Sequence, residues 1–206
     1  MLEKLRHLYL GGPTSIPRAR TDDKALRNLQ VLTGIAINQD TEFLFAKDMF
    51  PNLRKLGLHS LEWPETGLLS SLHHLHHLQT LKIYELFQLP SPNSFHLKLT
   101  KVTLVHANLS STATAITSFR QLDVFEMADL WISYWELGKG AMPSLRRLVI
   151  NNCPSLIMRP EELSCLTALR DLEVLHPYKE MAKTLRGLQM KNGCKLQVNP
   201  PLDVTN

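Results

Sequence analysis

Four histidines crowd into five positions, His73-His74-Leu75-His76-His77, the densest set of metal-ligand side chains in the chain. Histidines one, three and four apart on a helix can converge on one ion such as zinc. The run itself holds no Cys, Asp or Glu to close a site, so Glu85 or a neighbouring segment would have to complete it. The same residues also read as a solvated face, with Leu72, Leu75 and Leu78 turned inward. The second reading is the simpler one, and no metal is expected.

Other reactive side chains are scattered. Cys153, Cys165 and Cys194 are too few and too far apart for a disulfide framework or a zinc site. They suit a reducing compartment, so a cytoplasmic location is expected. No G-x-S-x-G, H-E-x-x-H or C-x-x-C motif occurs, and neither an enzyme nor a cofactor is expected. Asp22-Asp23 and Glu161-Glu162 read as loop charges, the second pair following Pro160 and favouring the start of a short helix. The sequon Asn108-Leu109-Ser110 is read as chance, because Met-Leu-Glu-Lys-Leu-Arg-His at the start has no signal-peptide core. A net charge of +4, from 23 basic and 19 acidic residues, is too mild to argue for nucleic acid or a membrane surface. No apolar run approaches the roughly 20 residues needed to span a bilayer. At 206 residues and 44% hydrophobic, the chain has the material for one globular domain.

The elements that must carry any site emerge from one stretch, Met142-Pro-Ser-Leu-Arg-Arg-Leu-Val-Ile-Asn-Asn-Cys153. Its apolar positions Met142, Leu145, Leu148, Ile150 and Cys153 are separated by steps of three, three, two and three. A helix face needs steps of three and four, whereas a step of two marks a strand. The stretch is a turn leading into a short strand, with Leu148 and Ile150 on one side and Arg147, Val149 and Asn151 on the other. The frame recurs eight times, with third anchors at Leu8, Leu32, Leu56, Leu81, Val102, Phe125, Leu148 and Leu172. The spacings run from 21 to 25 residues. In the second copy Gly34 takes the last place of the frame. Three residues past the final anchor lie Pro13, Ile37, Leu61, Leu86, Ala107, Leu130, Cys153 and Pro177, all apolar.

Such spacings are those of leucine-rich repeats. The expected fold is an α/β solenoid, a horseshoe of about eight repeats with a short parallel sheet on its concave face. Residues 1–177 form the repeats and 178–206 a C-terminal cap. Gly11-Gly12-Pro13, Ser91-Pro92-Asn93 and Gly138-Lys139-Gly140 read as loops. Ser70 to His77 and Glu161 to Thr167 read as short helical turns, Lys179 to Leu188 as a helix, and Lys195 to Val198 as a last strand. Irregularity is expected near His96 and Trp131, where the copies are weakest. No polar unit precedes the first copy, which suggests a fragment or a preceding domain.

Phe50-Pro-Asn-Leu-Arg-Lys-Leu-Gly-Leu58, Leu26-Arg-Asn-Leu-Gln-Val-Leu-Thr-Gly-Ile35 and Asn152-Cys-Pro-Ser-Leu156 resemble the repeats of plant intracellular disease-resistance receptors of the coiled-coil nucleotide-binding leucine-rich-repeat class. The resemblance covers roughly residues 2 to 190. It implies a sensor that contacts pathogen effectors, guarded host proteins or an adjoining nucleotide-binding switch domain. The glycine-rich phosphate loop of that family is absent from the sequence, so nucleotide binding is carried over to no residue. A leucine-rich-repeat adaptor, for example for a ubiquitin ligase, is the alternative; it would need a recruiting motif such as an F-box, and none is seen.

Strand alternation itself names the residues left for a protein partner. Those facing away from the leucines include Lys55, His59, Lys82, Tyr84, Lys101, Glu126, Arg147, Asn151, Asp171 and Glu173. The face is expected to be positive over copies three to five and more acidic toward the C-terminal end. It is either a merely soluble sheet face or a docking strip for an acidic surface. Trp131, Tyr134 and Trp135 are either packed in a loop or an exposed aromatic anchor.

Overall fold

The computed structural model describes residues 3–18, 24–60, 70–85, 98–107, 119–132, 137, 140–157, 160–186 and 193–200. Nine strands form one open sheet in strict chain order: β1 (His7–Thr14), β2 (Val31–Ala36), β3 (Lys55–His59), β4 (Thr80–Tyr84), β5 (Lys101–Val105), β6 (Val124–Ala128), β7 (Arg147–Asn151), β8 (Asp171–Leu175) and β9 (Lys195–Asn199). Every neighbouring pair is parallel. Parallel neighbours cannot be joined by a hairpin, so each strand is followed by a return segment that crosses back to the start of the next. Among the described residues helices are few and short: α1 (Gln39–Ala46), α2 (Pro160–Ser164), α3 (Lys179–Arg186) and a 3₁₀ turn at Ser70–His74.

The alternation expected from Leu148 and Ile150 holds in the structure. Leu32, Leu56, Leu81, Val102, Phe125, Leu148 and Leu172 are paired strand to strand and almost wholly buried. Ile35, Leu58, Ile83, Leu104, Met127, Ile150 and Val174 form a second buried row beside them. Leu29, Leu53, Leu78, Leu99, Leu122, Leu145 and Leu169, at the turn before each strand, close the core from below. Removing this continuous apolar area from water supplies about 25 cal/mol per Å².

Backbone hydrogen bonds repeat with the same period. Strands β2 to β8 are each entered by two successive N–H groups that share one carbonyl of the preceding unit, as Arg146 and Arg147 share Asp123 O and Arg170 and Asp171 share Arg146 O. Side chains reinforce the step. Asn52 Nδ2 donates to Arg27 O at 2.8 Å, and Asn28 Nδ2 donates to Glu3 O. The asparagines of the Arg-Asn-Leu and Pro-Asn-Leu turns therefore clamp one unit to the one before.

Four expectations change. Gly11-Gly12-Pro13 is not a loop but lies inside β1, an edge strand, where a proline without an N–H is tolerated. Of the irregularity expected near His96 and Trp131, His96 lies outside the described residues, and the register of β5, β6 and β7 shows none. It occurs instead between Tyr9 and Thr14 and between Leu32 and Ile35. Gly34 does not occupy the core position of the second unit; Ile35, fully buried, pairs with Leu58. Gly34 is the extra residue of a bulge, at φ +82°, a region glycine enters without steric cost. The bulge shifts the remainder of that unit by one residue. Asn38, not Ile37, then stands three past the anchor and caps α1 by accepting from Thr41 N at 2.9 Å. Pro13, finally, is exposed, whereas Ala107, Leu130 and Cys153 of the same series are buried; Leu61 and Leu86 lie outside the described residues.

Candidate functional site

The residues expected to face a partner do share one face of the sheet, because each occupies an alternate position of a register-matched strand. Lys55 is exposed, and Lys82, Tyr84, His59 and Asn151 are half-buried. The His59 and Tyr84 rings, opposite each other on β3 and β4, stack at 4.3 Å with planes 1° apart. Lys82 Nζ lies 4.6 Å from the centre of the Tyr84 ring, a cation–π contact on a partly solvated surface.

Further along, the charges turn inward on one another. Lys101 Nζ donates to Glu126 Oε1 at 2.6 Å, and Thr103 Oγ1 donates to Glu126 Oε2 at 2.9 Å. Arg147 Nη2 donates to Glu173 Oε2 at 2.6 Å. Lys101 is therefore not free for docking, which corrects the expectation of a positive face over copies three to five. Its partner sits on the next strand, one diagonal away, and the positive stretch contracts to Lys55 and Lys82. Asp171 lies in register with Arg147 on one side and Lys195 on the other.

Partial burial pushes the Glu126 carboxyl up, but the hydrogen bonds from Lys101 and Thr103 and the charges of Lys101 and Arg147 outweigh it, leaving the group below its ordinary range. A lowered folded-state pKa stabilises above the unfolded value and is lost as pH falls through the folded one. Urea unfolding of Glu126→Gln should therefore show a deficit of about 0.5–1 kcal/mol against wild type at pH 7. That deficit should narrow as pH falls below the ordinary glutamate range and close only once pH has passed the lowered folded-state value. A deficit that shows no dependence on pH across the acid range would contradict the pairing.

A row of residues that strand alternation does not reveal lies just past the strands. Glu85, His106, Asp129, Asn152 and His176 each follow a strand directly and adopt φ between 50° and 59°. Their N–H groups donate to the last carbonyl of the next strand, extending the ladder by one bond: Glu85 to Val105 O, His106 to Ala128 O, Asp129 to Asn151 O, Asn152 to Leu175 O and His176 to Asn199 O. Asp129 accepts from Asn152 Nδ2, and His106 Nδ1 lies 3.9 Å from its other oxygen. Asn, Asp and His enter this backbone region more readily than other side chains, and the sequence signal is a polar residue four positions past the third anchor in copies four to eight.

Trp131, 63% exposed, stands beside this row. It is not packed into a loop, and of the two readings the exposed aromatic is the one its position fits. Tyr134 and Trp135 lie outside the described residues. Among the histidines, Leu72, Leu75 and Leu78 are buried and His73, His76 and His77 exposed, the solvated-face arrangement. Among the described residues no group of three or more His, Cys, Asp or Glu could hold a metal ion. Glu162 is more than a loop charge, since its carboxylate accepts from Leu137 N. Burial pushes the Cys153 thiol up to about 11, with the Asp129 charge adding to it against hydrogen bonds with the Leu130 and Asn151 backbone. Such a thiol is a packing group and not a nucleophile.

No helix among the described residues is long and apolar enough to cross a membrane. No protein-family model matches the chain, and none of the curated proteins matches it significantly.

Proposed function

We propose that the chain is the protein-recognition module of a plant innate-immune receptor of the coiled-coil nucleotide-binding leucine-rich-repeat class. On this reading the sheet is the concave face of a leucine-rich-repeat horseshoe. It binds a pathogen effector, a guarded host protein or the receptor's own switch domain in the cytoplasm. The observation that carries the reading is the sheet itself: parallel strands in chain order, one per 21 to 25 residues, each turning two or three side chains outward. A surface of this kind is long, regular and rigid, and its backbone groups are spent on the ladder, so recognition falls to the outward side chains. The turns that resemble those receptors supply the choice of partner class.

The test is co-precipitation of the tagged chain with the nucleotide-binding regions of coiled-coil-class receptors expressed beside it in leaf tissue. The double variant Val124→Asp/Val149→Asp changes the centre of the face and touches neither Lys55 nor Lys82. It should lower recovery at least tenfold. Lys183→Glu, on the outside of α3, should leave recovery unchanged. Equal recovery with the face variant, or equal loss with the α3 variant, contradicts the proposal.

A further inference from the structure

The two ion pairs on the sheet face share one geometry. In each, the cation holds the first outward position of a strand and the acid the second outward position of the next. Lys101 stands opposite Val124, and Glu126 is two residues further on; Arg147 stands opposite Asp171, and Glu173 is two further on. Both close at 2.6 Å. The same diagonal between β3 and β4 joins Lys55, opposite Thr80, to Lys82. There the place of the acid is held by a second lysine.

The surroundings of this diagonal are unlike those of the other two. Gly57, opposite Lys82, has no side chain, and a Cβ there would approach Thr33 to 3.0 Å. The gap between the lysines is floored by backbone. The stacked rings of His59 and Tyr84 stand at one end of it. Neither Asp nor Glu occurs in β1, β2, β3 or β4, and among the described residues no carboxylate pairs with Lys55 or Lys82. The strand N–H groups beneath are committed to the parallel ladder, so an anion arriving here meets side-chain donors and no nest of backbone amides. That favours a carboxylate, which this face already accepts twice, over a phosphate, which draws on forked guanidinium or backbone donors.

We infer that Lys55 and Lys82, above Gly57 and beside the His59–Tyr84 stack, form a seat for a carboxylate side chain from an acidic segment of a protein partner. The incoming group takes the position that Glu126 and Glu173 hold within the chain. The inference rests on reading the sheet face as a recognition surface and names what one part of it recognises.

Calorimetric titration of the full chain with an end-capped hexaglutamate peptide at low salt tests the seat. Wild type should bind one peptide, weakening as salt is raised. Lys82→Glu should weaken binding at least tenfold, because the carboxylate it introduces engages Lys55 as Glu126 engages Lys101. It keeps the strand pattern, and an unchanged circular dichroism melt shows that it folds. Lys179→Glu carries the same change of net charge on α3 and should bind within twofold of wild type. Equal binding by Lys82→Glu, or equal loss in Lys179→Glu, overturns the seat. Displacement of the peptide by inorganic phosphate at concentrations below the peptide's own also overturns it, in favour of a general anion site. Failure of the peptide to bind at all overturns the seat and leaves the recognition face standing, since Val124→Asp/Val149→Asp tests that face without either lysine.

Discussion

Phe125→Ala is expected to cost about 3–5 kcal/mol of folding stability, and its neighbour Val124→Ala less than about 1 kcal/mol. Phe125 is 1% exposed and stands in register between Val102 and Leu148, the middle of the buried row. Truncating it removes apolar area and leaves a cavity that flanking strands, each held on both sides by the ladder, cannot collapse to fill. Val124 is one residue earlier and points to the other face, where it is only half-buried. A domain of this size is stable by only about 5–15 kcal/mol, so the first change removes about a fifth of the total or more. Urea unfolding reads both, with a lowered midpoint and unchanged slope for Phe125→Ala. Comparable losses in the two variants would mean that the strand does not alternate as described.

The second large effect is expected at Gly34. Its φ of +82° alone costs an alanine about 1–2 kcal/mol. A Cβ there would also lie 2.2 Å from Leu10 O and 2.8 Å from Leu10 C, backbone atoms that cannot turn aside. Relief requires β1 to move away from β2. Gly34→Ala should therefore lose at least about 2 kcal/mol and lose it locally. Amides of β1 and β2 exchange fast by hydrogen–deuterium exchange, while those of β6, β7 and β8 keep their protection. Gly57→Ala is the informative comparison. There the Cβ meets the Thr33 side chain first, at 3.0 Å, and backbone only at Thr33 Cα, 3.3 Å away, and φ does not lie in the left-handed region. Its cost should be smaller. Unchanged protection of β1 in Gly34→Ala would contradict the bulge.

Phe125 and Gly34 also mark where the sequence was legible and where it was not. The step of two from Leu148 to Ile150 and its recurrence at Val102, Phe125 and Leu172 made the alternation readable, because burial selects for it at every turn of the chain. A bulge adds one residue without changing the apolar composition, so Gly34 and Ile35 could be told apart only by φ and pairing. The helix α1 escaped notice for a related reason. Its buried residues, Thr41, Leu44 and Phe45, stand at helical spacing, but Thr41 is polar and Phe43 to Ala46 is an unbroken apolar run, so no apolar face stands out and the clearest signal is the cap at Asn38. At the candidate site, strand alternation placed Lys55, Lys82, Lys101, Glu126, Arg147 and Glu173 on one face. It could not show that Lys101 is spent on Glu126, because the partner lies on a diagonal between strands 21 to 25 residues apart. The left-handed row at His106, Asp129 and Asn152 is likewise a backbone property that residue types only hint at.

The carboxylate seat depends on the three diagonals being equivalent, and a double-mutant cycle measures that equivalence most directly. Lys82→Glu should bring to β3 and β4 the pairing that Lys101–Glu126 and Arg147–Glu173 already make. Lys82→Glu, Lys55→Ala and the double variant are compared with wild type by urea unfolding at low salt. The coupling between Lys55 and the introduced carboxylate should be favourable by about 0.3–1 kcal/mol. The Lys101–Glu126 pair, measured in the same way, should give a coupling of similar size and sign. A coupling of zero between positions 55 and 82 alongside a clear one between 101 and 126 would mean that the diagonals are not equivalent, and the carboxylate seat would have no template in the chain.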